Sequence, residues 1–248
     1  MTQSVNEKYL KIRHSLTQWQ QEQLCKTAKS ELAEQAPTWN KRISDGKTAF
    51  DEADFPLALA ADALITVICA MEDKSLLPEE AQKLIGSYLQ SKTPEEATSY
   101  QGLDDTQLRM YIHLVCQTVM NIMAESISSD EVIKSWRKNV CPACGSVPAL
   151  AYYDGSGKRK LVCATCATHW QFRRLGCTAC GEENHNNLRL LDSGSNCPGW
   201  SVQVCKTCHG YLKVVDLREI TQIPDWILAN VSTMPIDFAA QKWLSENA

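Results

Sequence analysis

Residues 141–166 read CPACGSVPALAYYDGSGKRKLVCATC and carry two C-x-x-C pairs, Cys141/Cys144 and Cys163/Cys166, on either side of a potential hairpin. The pattern recurs in residues 177–208, CTACGEENHNNLRLLDSGSNCPGWSVQVCKTC, around Cys177/Cys180 and Cys205/Cys208. In a cysteine knuckle, two thiolates three residues apart point at one ion, while backbone N–H groups of the turn donate to the sulfurs. Each stretch therefore predicts a knuckle, a β-hairpin and a second knuckle.

The repeat also predicts how the pairs combine, because each hairpin joins two consecutive knuckles. This is the layout of a zinc ribbon or a rubredoxin-like module, whereas a RING-type cross-brace would join pairs across the two stretches, and nothing in the repeat favours it. Tetrahedral four-sulfur geometry suits zinc or iron, and the sequence does not choose between them. We expect two metal ions, iron or zinc, each bound by four cysteines: Cys141, Cys144, Cys163 and Cys166 in one site, and Cys177, Cys180, Cys205 and Cys208 in the other.

The fourth knuckle allows a different interpretation. The stretch VCKTCHGYLK, residues 204–213, contains C-x-x-C-H, the spacing at which c-type haem is attached. The three similar pairs favour a knuckle, with His209 as a surface neighbour in its turn. Cys197 has no partner three residues away and is expected to be a spare thiol, and Cys69 and Cys116 to be small core residues.

The rest of the chain predicts helices. Helical spacing of apolar residues indicates helices over about 5–34, 56–71, 78–89 and 104–123, the last with Asp104 as N-cap and Gln107 as its partner. A further apolar stripe follows Pro235. The fold class is thus α+β: a helical N-terminal domain, two tandem rubredoxin-like or zinc-ribbon modules and a short helical C-terminal tail. The predicted domains are 1–138 (helical bundle), 139–174 (first four-Cys module), 175–215 (second four-Cys module) and 216–248 (helical C-terminal segment).

Composition and charge limit the classes of function. The chain has 248 residues, and its apolar runs are shorter than the roughly 18 residues of a membrane helix. The first residues, MTQSVNEKYLKIRHSL, lack a secretory apolar core, so we expect a cytoplasmic, reducing location.

The cysteine-rich part of the chain carries a surplus of positive charge, since residues 136–220 contain 11 Lys+Arg and 6 Asp+Glu. Two four-thiolate sites, at −2 each with a divalent ion, neutralise most of that surplus, which argues against nucleic-acid binding. The basic run at 158–160, KRK, is expected at a solvated hairpin tip.

The sequence predicts no enzyme. It contains no phosphate loop, HExxH, GxSxG or dinucleotide fingerprint. A thiol–disulfide oxidoreductase would place its C-x-x-C at a helix start in a βαβ unit, whereas these pairs lie in hairpin knuckles.

The order of these motifs resembles the formate dehydrogenase accessory proteins of the FdhE family. The resemblance rests on CPACGS, CATC followed by Trp170, Arg174 shortly before CTACG, and CKTCHGYLK, where His209 stands at a position that is usually glycine in the family. It implies a cytoplasmic maturation factor that binds two metal ions, as rubredoxin-like iron, and contacts the catalytic subunit of formate dehydrogenase. The alternative is a nucleic-acid-binding zinc ribbon or another metalloprotein interaction module.

Overall fold

A computed structural model describes residues 2–24, 28–90, 102–127, 130–192 and 197–247 of the chain. The helices are α1 (Thr2–Leu24), α2 (Ala28–Ser44), α3 (Leu57–Glu72), α4 (Pro78–Gln90), α5 (Asp105–Glu125), α6 (Asp130–Ser135), α7 (Trp226–Ser232) and α8 (Met234–Asn247). The strands are β1 (Pro148–Tyr153), β2 (Arg159–Cys163), β3 (His169–Gln171), β4 (Leu188–Asp192), β5 (Trp200–Cys205) and β6 (Tyr211–Asp216). The predicted α+β class is therefore confirmed. Among the described residues, no helix is both long and apolar enough to cross a membrane.

The chain divides into two compact units that do not follow the four predicted domains. Unit 1 comprises Met1–Pro37 and Asp51–Ser126, and unit 2 comprises Thr38–Phe50 and Ile127–Ala248. Residues 38–50 group with the cysteine-rich part because backbone N–H groups of Ala49 and Phe50 donate to the carbonyls of Pro142 and Ala143, each at 2.9 Å. The order of side chains in the sequence does not predict these main-chain hydrogen bonds.

Unit 1 is a helical bundle in which α3 packs against α1, α4 and α5. Helix α3 presents Ala60, Ala61 and Ala63 to the interior, and these small side chains let neighbouring helices approach closely. Helix α5 begins after Asp104 as predicted, but the Asp104 side chain makes no capping hydrogen bond.

The described part of the helix predicted over about 5–34 is helical, in α1 and α2, and residues 25–27 between them lie outside the described residues. The prediction that Cys69 and Cys116 are both core residues was wrong for one of them. Cys116 is buried in α5, but Cys69 is exposed. Helix rotation explains the exposure, because Val67 and Ile68 take the buried face of α3 and the next residue turns toward solvent.

Unit 2 is built on one six-stranded sheet in the order β3-β2-β1-β6-β5-β4. The predicted hairpins are present as the antiparallel pairs β1–β2 and β4–β5. Strands β3 and β6 follow the second knuckle of each repeat and were not predicted. Strand β6 pairs with β5 and also, in parallel, with β1, beginning at Leu150 opposite Lys213. The two predicted modules therefore share a continuous sheet.

The C-terminal helices cover part of this sheet. Helix α8 packs Ile236, Ala240 and Leu244 against Val202 and Val204, which project from the same face of β5. Helix α7 contributes Ala229 to a second cluster on β1, where the Trp226 ring stacks on Tyr152 at a centroid distance of 4.7 Å. The predicted helical tail is thus part of the core of unit 2.

A partly buried polar cluster in unit 1 makes stability depend on pH. Glu72 Oε1 accepts a hydrogen bond from the hydroxyl of fully buried Tyr111 and lies 3.0 Å from Lys8 Nζ. The hydrogen bond from Tyr111, together with Lys8, holds the pKa of Glu72 below its usual value. The ionised carboxylate therefore adds stability above the unfolded-state pKa of about 4.3, and this contribution is lost as pH falls through the lower folded-state pKa.

We expect Glu72→Gln to lower the free energy of unfolding at pH 7 by about 1–2 kcal/mol, because a charge-assisted hydrogen bond and an ion pair are lost. The difference from wild type should shrink as pH falls below about 4. Urea unfolding followed by far-UV circular dichroism measures both effects. Glu34→Gln, at an exposed position of α2, is the control and should change little. If the difference in free energy of unfolding between Glu72→Gln and wild type did not change with pH, the stabilising role of ionised Glu72 would be contradicted.

Candidate metal centres

The structure brings the eight paired cysteines into two groups of four. Within each group the sulfur atoms lie within 4.8 Å of one another. The first centre contains Cys141, Cys144, Cys163 and Cys166, and the second contains Cys177, Cys180, Cys205 and Cys208. The grouping follows consecutive knuckles, as the sequence repeat predicts, and not a cross-brace. Among the described residues, Cys197 belongs to neither group; it packs against the hydrophobic cluster that β5 and α8 form.

The sulfur separations fit a four-thiolate metal site. A tetrahedron with metal–sulfur bonds of about 2.3 Å has sulfur–sulfur edges of about 3.8 Å. Cross-knuckle sulfur–sulfur separations include 3.6 Å (Cys141–Cys166), 3.4 Å (Cys144–Cys163), 3.6 Å (Cys177–Cys208) and 3.8 Å (Cys180–Cys205). Disulfides would need about 2.0 Å. Each group could thus hold one ion, and four sulfur donors are compatible with zinc and with iron.

All four knuckles share one backbone geometry. The N–H of the first cysteine donates to the carbonyl five residues later at 2.8–2.9 Å in every case. The residue after the second cysteine adopts a left-handed conformation in each: Gly145 (φ 77°), Ala167 (φ 55°), Gly181 (φ 80°) and His209 (φ 56°). The glycines supply this conformation without strain, whereas a side chain at the other two positions makes it costly.

The two centres differ in their exposure to solvent. In the first, Cys141, Cys163 and Cys166 are at most 4% exposed, and Cys144 is half-buried. Residues 48–50 lie over its first knuckle, since Ala49 and Phe50 hydrogen-bond to Pro142 and Ala143. In the second centre, Cys177 and Cys205 are buried with Leu188, but Cys208 is only half-buried and Cys180 is exposed.

Electrostatics within each group favour a bound cation. Hydrogen bonds from Cys141, Cys163 and Cys166 lower the pKa of Cys144, whereas burial raises the pKa of Cys141 well above its usual value. In the second centre the backbone N–H of Glu182 lowers the pKa of Cys180, and burial raises the pKa of Cys208 to about 12. A bound metal cation would favour the ionised form of all four thiols in a group.

A buried arginine lies near the second centre, contrary to the sequence prediction. Within the run 158–160, which was expected at a solvated tip, Arg159 is only 2% exposed because it begins β2 and turns inward. Its guanidinium donates to Gly176 O at 3.0 Å and to Gln203 Oε1 at 2.7 Å. Burial lowers the pKa of the Arg159 guanidinium, and the charges of Tyr153 and Cys177 offset part of this effect. Arg159 thus connects the segment just before the third knuckle, at Gly176, to Gln203 on β5 through hydrogen bonds.

These features define a protein of the zinc-ribbon-like class, with two four-cysteine groups that could each hold a metal ion. Residues 140–174 match the family model described as FdhE, central domain. An FdhE homolog from Aquifex aeolicus is 30% identical over 174 residues, which cover 68% of this chain and 56% of that protein. An FdhE homolog from Rhizobium meliloti is 26% identical over 184 residues, which cover 73% of this chain and 55% of that protein.

The fold has a solved counterpart. The crystal structure of the FdhE protein from Pseudomonas aeruginosa matches 92% of this chain and 82% of that chain, with a TM-score of 0.59 and 18% identity. The predicted resemblance is confirmed, and the chain is a relative of the FdhE proteins. The alignments with the two FdhE homologs span only about 55% of their length.

The knuckle backbone generates a prediction about His209. Because a non-glycine residue in the left-handed region is strained, His209→Gly should raise the free energy of unfolding of the metal-loaded protein by up to about 1 kcal/mol. Gly181→Ala, at the equivalent position of the third knuckle, should lower it by about as much. Gly86 lies in α4 with open space around it, so Gly86→Ala should be stabilising. Denaturant titration measures the free energy of unfolding of all three variants. If His209→Gly were destabilising, the backbone strain inferred at His209 would be contradicted.

Proposed function

We propose that this chain is a cytoplasmic accessory factor for the maturation of formate dehydrogenase, binding its catalytic subunit through a surface whose shape depends on two metal ions. The observation that carries the proposal is the pair of four-cysteine centres within one sheet, in a chain related to FdhE proteins. A reducing compartment fits this role, since the cysteines must remain thiolates to bind metal.

The geometry of the centres supports a structural role for the ions. Catalytic metal sites keep one coordination position open for water or substrate, whereas structural sites are closed by four protein ligands. Each group here supplies four sulfurs at tetrahedral separations. We therefore propose that the protein is not an enzyme and that its metals maintain the sheet for docking.

The structure gives less support to the nucleic-acid alternative. Two of the basic residues counted in residues 136–220 are internal: Arg159, and Lys213, which is 3% exposed. Lys213 Nζ donates to Asp237 Oδ2 at 2.8 Å and to Asn230 O at 2.7 Å. These cations stabilise the fold and are not available to phosphates, so the surplus of positive charge at the surface is smaller than the sequence suggests.

Metal content is the first test. Protein purified without oxygen should contain two equivalents of metal, and Cys141→Ser or Cys177→Ser should each lower this by about one equivalent, because a four-sulfur site loses a ligand. Cys197→Ser is the matched control and should retain two. Visible charge-transfer bands would identify iron, and a colourless protein would identify zinc. An intense Soret band would overturn the interpretation in favour of haem.

Docking is the second test. Immobilised protein should retain the catalytic subunit of formate dehydrogenase, and Cys141→Ser and Cys177→Ser should lose this binding because the metal-dependent sheet is disrupted. Cys197→Ser should bind as wild type does. Equal binding by all variants would exclude the centres from docking. Binding to duplex DNA at low salt that falls steeply as salt is added would favour the nucleic-acid alternative.

A further inference from the structure

The second centre is held together on its exposed side by one carboxylate. Glu182 Oε2 accepts hydrogen bonds from Thr207 Oγ1 at 2.7 Å and Asn187 Nδ2 at 2.8 Å. Its Oε1 accepts from the backbone N–H groups of Glu183 and Asn184 at 2.9 and 2.8 Å. Glu182 follows the third knuckle and Thr207 lies within the fourth, so the carboxylate links the two halves of the centre.

The first centre has an equivalent link in a different setting. Thr165 Oγ1 donates to Ser146 Oγ at 2.9 Å, and these residues occupy the positions of Thr207 and Glu182 in the repeat. This link is neutral and is supplemented by residues 48–50, which hydrogen-bond to the first knuckle. The second centre relies on Glu182 at a place where two of its four cysteines remain accessible to solvent.

We propose that the second centre is an exchangeable metal site, which gives up or accepts its ion through Cys180 and Cys208, and that Glu182 is the positioning residue that limits the rate of exchange. The inference rests on the proposed metal binding and goes beyond it by giving the two centres different roles. Exchange at a four-coordinate ion requires an incoming ligand to reach the metal and a thiolate to leave. Exposed Cys180 and half-buried Cys208 permit this, whereas the first centre, in which three of the four cysteines are buried and none is fully exposed, must first open locally.

The exchange is a ligand substitution without a redox step. A soft acceptor, such as a thiolate or nitrogen chelator, forms bonds to the ion as the metal–sulfur bonds of Cys180 and Cys208 break, and those of Cys177 and Cys205 follow. The ion leaves with the acceptor in its original oxidation state. Protons from solvent replace the ion on the released thiolates.

Chelator competition tests the difference between the centres. Protein loaded with two equivalents of zinc is mixed with excess 4-(2-pyridylazo)resorcinol, and absorbance follows the transferred metal. We expect one equivalent in a fast phase and one released at least about tenfold more slowly. Alkylation with N-ethylmaleimide during the fast phase, read by mass spectrometry, should label the cysteines of the second centre. A single phase, or earlier labelling of the first centre, would overturn the proposal.

Variants of the links test the role of Glu182. Glu182→Ala and Thr207→Val should each speed the fast phase by about 10–100-fold, the range typical of residues that orient metal ligands, and leave the slow phase unchanged. The double variant should be no faster than the faster single variant, because both changes remove one interaction. Ser146→Ala, the matched control, should leave both phases close to wild type. An unchanged fast phase in both single variants would exclude Glu182 from this role.

Metal stoichiometry before mixing separates this inference from the proposed function. Two bound ions that leave together refute only the exchange proposal, while a protein without bound metal refutes the function on which it rests. Each link variant must also start with two equivalents, so that a fast phase reports exchange and not prior loss of the site.

Discussion

The convergence of four cysteine sulfurs at each centre is the constraint on which unit 2 depends. A knuckle–hairpin–knuckle segment of about 30 residues buries too little apolar surface to fold by itself. A structural four-thiolate metal site can supply on the order of 10 kcal/mol, because the ion binds the folded arrangement and not the open chain. The centres therefore fix where each hairpin begins and ends, and the sheet is assembled from segments whose ends are already defined.

The parallel pairing of β1 with β6 then converts two ribbons into one sheet. Strands β3 and β6 both begin three residues after the last cysteine of their repeat, but β3 has three residues and β6 has six. The longer strand can pair on both sides, with β5 and with β1. A small difference between the copies thus sets the topology. The main-chain hydrogen bonds between β1 and β6 therefore connect the two centres, so a structural change at one can affect the other.

Sequence reasoning succeeded where a local pattern carries the structure. The C-x-x-C spacing and the alternating runs gave the eight cysteines, the two hairpins and the consecutive pairing, and helical periodicity gave α3, α4 and α5. It failed where the structure depends on contacts between backbone groups or side chains that are far apart in the sequence. The β1–β6 pair and the bonds from Ala49 and Phe50 involve main-chain atoms that any residue supplies. Arg159 is polar yet buried, since its partners come from elsewhere in the fold.

The same limitation applies to the difference between the two centres, because both have four cysteine ligands in two C-x-x-C pairs. The surroundings of the two centres differ instead: residues 48–50 hydrogen-bond to the first knuckle of the first centre, whereas the Glu182 link joins the two knuckles of the second. A duplicated module allows such a division, since one copy can hold the sheet in shape while the other tolerates access to its metal. Partner residues near Cys180 would reach an ion there more easily than one enclosed by Cys141, Cys163 and Cys166. The environment of each centre, more than its ligand set, therefore determines what chemistry it can perform.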